Sequence, residues 1–199
     1  MDGLPGLVCL KRRRQENEEK STGKYVFRLA LTLFLITAVV ACCLAAVNGV
    51  TEPRIQAARE QKSQMAIGAV LPGGGEEMKE FGDDTGLISK VYGSDTGYAI
   101  EVNPSGFGGP ITMMVGVSKD LKILGISVIS QTETAGLGAV AAAKTSAGEA
   151  FRSQYEGMEG TLAVKKDGGT VEAISGATIT SRAVTEGINA ALACAAGLT

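Results

Sequence analysis

Histidine is missing altogether from these 199 residues, and so is tryptophan. Without histidine the chain has neither the commonest general base nor the commonest metal ligand. Its four cysteines, Cys9, Cys42, Cys43 and Cys194, show no C-x-x-C spacing, which speaks against a structural zinc site and a four-cysteine iron–sulfur cluster. Any redox chemistry must therefore come from an organic cofactor. Aromatics are scarce at 5%, against 27 glycines and 45% hydrophobic residues, so the core is expected to be Val, Ile, Leu and Ala in a loop-rich domain. A net charge of −2 leaves no footprint for nucleic acid.

What is present is unevenly placed. Lys11, Arg12, Arg13, Arg14, Lys20, Lys24 and Arg28 crowd the first 28 residues, whereas the remainder is acidic on balance. Leu29 to Val47 is a run of 19 apolar, alanine, cysteine or threonine residues, which as a helix reaches about 28 Å and crosses a bilayer's hydrocarbon core. A cleaved secretory signal is the competing reading, but its apolar region is ordinarily ~7–15 residues long. The basic flank then predicts a cytoplasmic N-terminus and an outward-facing remainder. One span without a buried acidic residue offers no route for an ion by itself.

After the span, Arg54 to Val70 has the periodicity of an amphipathic helix, ended by Leu71-Pro72-Gly73-Gly74-Gly75. The period then shortens to that of strands. Leu87–Tyr92 pairs with Tyr98–Asn103 and Ile111–Val117 with Ile123–Ile129, giving two hairpins, while Leu162–Lys165 and Thr170–Ile174 predict a third. Ala139–Tyr155 and Ser181–Ala196 read as helices, the second stopped by Gly197. The expected fold class is α+β: an N-terminal transmembrane helix, then an antiparallel sheet with flanking helices. The divisions are a basic cytoplasmic segment at 1–24, the transmembrane helix at 25–50, a connecting helix at 51–75 and an extracytoplasmic domain at 76–199.

Ser175-Gly176-Ala177-Thr178-Ile179-Thr180-Ser181 lies between a predicted strand and the start of the last helix. Unpaired N–H groups and the helix dipole favour an anion there, and small residues leave room for one. Taken alone, the commoner reading is a turn whose Thr180 or Ser181 caps the helix. The segment, however, resembles the flavinylation motif of the FMN-binding domain in the G subunit of the Rnf electron transport complex. Glu133-Thr134-Ala135-Gly136-Leu137-Gly138 is similar to that family's Glu-Thr-Pro-Gly-Leu-Gly loop, and Gly106-Phe107-Gly108-Gly109-Pro110-Ile111 to its Gly-Tyr-Gly-Gly-x-Ile stretch. Gln131, Ala135 and Glu172 depart from its histidine, proline and aspartate.

The resemblance implies an FMN joined by a phosphoester to Thr178, put there by a flavin transferase. Ser175, Gly176, Ala177, Thr180, Glu133, Thr134, Gly136 and Leu137 would hold it, although Glu133 to Gly138 fits an ordinary strand-ending turn equally well. It further implies a bacterial or archaeal membrane protein that relays electrons among other membrane and soluble subunits of an ion-translocating ferredoxin:NAD oxidoreductase. The alternatives are the C subunit of a sodium-translocating NADH:quinone reductase, which shares the domain, and an anchored module carrying no flavin.

Overall fold

The computed structural model describes residues 5–78, 81–83 and 85–198, with side chains from Lys24 onward; Cys9 and the basic run from Lys11 to Lys20 thus lie outside the described side chains. The chain divides into two compact units, Met1–Gln56 and Ala57–Thr199.

In the first unit the backbone belongs to one helix, α1 (Pro5–Val70), which continues through Pro53 into the second unit instead of forming two separate helices. From Lys24 to Gln56 every side chain is exposed except the half-buried Ala38. Among the described residues this is the one helix long and apolar enough to cross a membrane. Its threonines conform to that setting: Thr32 donates to the Arg28 carbonyl at 2.6 Å and Thr37 to that of Leu33 at 3.0 Å, which leaves neither hydroxyl in need of water.

The second unit is built on a five-stranded antiparallel sheet in the order β1 (Glu76–Met78), β2 (Ile88–Gly93), β3 (Gly97–Val102), β4 (Thr112–Ser118) and β5 (Ile123–Ser130). Both expected hairpins are present, but β3 also pairs with β4, so they join in one meander. The short acidic β1 carries no alternation by which the sequence could announce it. Period-two alternation sends Tyr98, Ile100 and Val102 of β3 and Met113, Val115 and Val117 of β4 into the larger core. Ala99 and Met114 point the other way, against Ala66, Ile67 and Val70 at the end of α1. Gly116 permits that approach, since a Cβ there would fall 2.3 Å from the Val70 carbonyl oxygen.

The larger core is closed by α3 (Thr178–Leu198), through Ala183, Val184, Ile188, Ala191 and Leu192, and by α2 (Ser146–Ser153), through Phe151. Three expectations are corrected. The helix foreseen over Ala139–Tyr155 is split into a 3₁₀ turn at Gly138–Ala142 and α2. Gly148 folds the two together so tightly that a Cβ would fall 2.3 Å from the Ala143 carbonyl, and Thr145 caps α2 by accepting from the Gly148 N–H at 3.3 Å. In place of a third hairpin, a 3₁₀ turn at Lys165–Asp167 separates Val164 and Val171, which meet in a single parallel bridge. Gly197 lies inside α3, and the helix begins at Thr178, three residues earlier than expected.

Candidate functional site

The loop entering α3 is held by its own backbone and by Ser181. The Ala177 N–H donates to the Ile174 carbonyl at 3.0 Å. Ser181 Oγ accepts the Ile174 N–H at 3.0 Å and donates to the Ala177 carbonyl at 2.9 Å. Ser181 is thus a buried staple one turn inside the helix, not its cap. Gly176 takes φ +75°, and a Cβ on it would come 3.0 Å from Leu137 Cδ2, so the Glu133–Gly138 loop lies directly against this turn. Thr178 is left half-exposed at the first helical position, where Oγ1 accepts a hydrogen bond from Lys166 Nζ at 3.0 Å. Ser175 and Gly176 are exposed beside it and Ala177 is buried.

Glu133 draws three distant segments together. Its carboxylate, 9% exposed, accepts from the Gly108 N–H at 2.9 Å and from the Thr180 hydroxyl at 2.5 Å. Thr132 adds a second tie, donating to the Gly108 carbonyl at 2.9 Å. Gly138 has to be glycine here, because a Cβ would lie 2.4 Å from Glu133 Oε2 and 2.5 Å from Thr180 Oγ1. Glu133 and Thr180 therefore turn toward each other inside the fold, while the Thr134 carbonyl accepts from the Leu137 and Ala139 N–H groups and its side chain stays exposed. Of the five large hydrophobic residues exposed beyond Ile55 among the described residues, three stand on these tied segments: Phe107, Leu137 and Ile179. Such clustering marks a surface meant to be covered.

Beside the Thr178 loop lies an open cleft of about 470 Å³ lined by Gly136, Val140, Phe151, Gln154, Ile174 and Ser175, among others. That volume falls in the ~300–1,000 Å³ range of ligand sites. Glu172 borders it and is fixed twice: its backbone trades hydrogen bonds with Gln154 at 2.8 and 3.0 Å, and its carboxylate faces Lys165 at 3.5 Å. On the other side, Asp167 takes a two-point grip on Arg182 at 2.5 and 2.6 Å, and the Arg182 hydrogen bonds hold its carboxyl below the usual aspartate range. Lys166, Gln154 and the Asp167–Arg182 pair escape the sequence reading, for nothing in the spacing of 165–167 says that this turn folds over Thr178. Among the described residues no group of three or more acidic or cysteine side chains could hold a metal ion.

A cation on a half-exposed hydroxyl, a helix start and a cleft with apolar walls fit an anion-terminated planar group. The class of protein is given by the family model of the FMN-binding domain, which matches residues 106–193. The chain is also 34% identical over 187 residues to the G subunit of the Na(+)-translocating ferredoxin:NAD(+) oxidoreductase complex of Acetobacterium woodii, covering 83% of this chain and 89% of that one. It is 30% identical over 184 residues to the G subunit of the ion-translocating oxidoreductase complex of Methanosarcina acetivorans, covering 86% and 95%. The G subunit of the proton-translocating ferredoxin:NAD(+) oxidoreductase complex of Clostridium ljungdahlii is 29% identical over 172 residues, covering 84% and 90%. The chain belongs to the G-subunit family of ion-translocating oxidoreductase complexes.

Proposed function

We propose that the chain is the FMN-bearing electron-transfer subunit of an ion-translocating ferredoxin:NAD oxidoreductase complex, anchored by α1 and carrying its flavin on Thr178 through a phosphoester. The observation that carries the attachment is Thr178 itself: a half-exposed hydroxyl at the first position of a 21-residue helix, 3.0 Å from Lys166 Nζ and beside the cleft. A phosphodiester retains one negative charge, which the helix start and the lysine favour. When bound, FMN supplies the reversible uptake and release of electrons that these side chains cannot provide.

The protein's part is to place that group. Ser181 fixes the Thr178 loop, Glu133 fixes the Leu137 loop against it, and the apolar wall of the cleft offers a ring system a surface to lie on. A tether raises the local concentration of a group that an open cleft alone would hold weakly. Attachment at this position requires a flavin transferase that reaches Thr178 over the exposed Ser175 and Gly176. By charge, the N-terminus stays in the cytoplasm and the flavin domain faces outward.

The test is covalency. Protein made in a host with the transferase and then denatured in acid is expected to stay yellow and to show an FMN mass on the Thr178 peptide. Thr178→Ala should lose both, and flavin that survives denaturation in this variant would refute the assignment.

A further inference from the structure

Three cations stand near the start of α3, and their partners differ. Arg182 is paired with Asp167 and Lys165 with Glu172, at 2.5 and 3.5 Å. Lys166, on the turn between them, gives its hydrogen bond to a neutral group, the Thr178 hydroxyl, at 3.0 Å. An ammonium group directed at a hydroxyl meets no charge of opposite sign there, and the same hydroxyl is the atom at which a phosphoryl group would be carried. We propose that Lys166 is the cationic partner of the phosphodiester on Thr178, fixing the direction in which the flavin leaves its tether. The inference rests on the covalent attachment proposed above.

The placement of Lys166 is built into the fold. The two-point grip of Asp167 on Arg182 clamps the 165–167 turn to the first turns of α3, and a two-point guanidinium–carboxylate pair sets orientation as well as distance. Lys165, before it, is drawn away toward Glu172. Asp167 lies close enough for Lys166 to contribute, after Arg182, to the lowering of its carboxyl pKa, so the lysine is balanced locally but is not hydrogen-bonded to that carboxylate. A phosphodiester added at Thr178 would lie within reach of both this ammonium group and the helix start.

The experiment compares full-length flavin-loaded wild type with Lys166→Ala, Lys166→Arg and Lys166→Glu, reading the mass of the Thr178 peptide, the ³¹P resonance and the polarised-fluorescence decay of the bound flavin. Loss of an exposed ion pair is expected to raise the freely rotating flavin fraction roughly two- to fivefold in Lys166→Ala. The rise should be larger in Lys166→Glu, reversed in Lys166→Arg, and reproduced in the wild type by high salt. The ³¹P resonance should move with the charge at 166. If wild type and variants are loaded alike and agree in both spectra, the lysine pairing is overturned while the attachment stands. If wild type carries no FMN on Thr178, both fall. If Lys166→Arg raises the freely rotating fraction as fully as Lys166→Ala, charge is not what the position supplies, and the pairing is overturned on that ground.

Discussion

Glu133 shows how one side chain can tie segments that lie far apart in sequence. Its two oxygens satisfy a part-buried backbone N–H and a buried hydroxyl, on residues 25 and 47 positions away. Glu133→Ala would strand the buried Thr180 hydroxyl, and a loss of ~1–3 kcal/mol is expected for that unpaired group. Urea unfolding would check it: an unchanged midpoint would mean that water replaces the carboxylate without loss. Glu133, Gly136 and Leu137 were legible in the sequence as one loop of the candidate site because a motif carries them. That Thr180 closes onto Glu133 was not, since no local pattern links residues so far apart.

At the level of elements, hydrophobic alternation foretold β2 to β5 within a residue or two, and the breaker run after Val70 foretold the end of α1. It failed where tertiary packing overrides local preference. Ala139–Tyr155 has helical spacing, yet the fold breaks it so that Arg152 can donate to the Ala141 and Ala143 carbonyls at 2.7 and 3.1 Å. Just beyond α2, the fully buried Tyr155 shares a hydrogen bond of 2.9 Å with Thr185 of α3. Burial pushes its phenol up to about 12 from an ordinary 10.0, only partly offset by the Thr185 bond. The fold favours the neutral form, so this contribution is whole below about pH 10 and is lost as pH rises towards 12. Tyr155→Phe should unfold less steeply with pH over that window, at a cost of about 1 kcal/mol near neutrality. Parallel alkaline unfolding curves for the two proteins would contradict the assignment.

Over the whole molecule, charge and hydropathy are divided more sharply than any element boundary. The basic residues before Leu29 and the exposed apolar helix after them set the expected direction of insertion. A reporter fused after Thr199 should be active only outside the cytoplasm, and activity inside would reverse the topology. The anchor was readable because a bilayer-length apolar run needs no tertiary information. The candidate site was readable only as motifs, because the cleft's walls come from α2, the segment before it and the stretch after Val171.

The plain neighbour-to-neighbour order of the sheet has an entropic corollary. Each strand pairs with the next in sequence, and the β2–β3 turn closes between Ser94 and Gly97. The Glu133–Thr180 bond closes a loop of 47 residues. By logarithmic loop scaling, that closure costs roughly 2 kcal/mol more than a four-residue turn. That tie is made on top of sheet pairings that are local in sequence, so the Glu133–Thr180 contact is expected to open more readily than the sheet, which amide exchange at Gly108 against that of β3 and β4 would check.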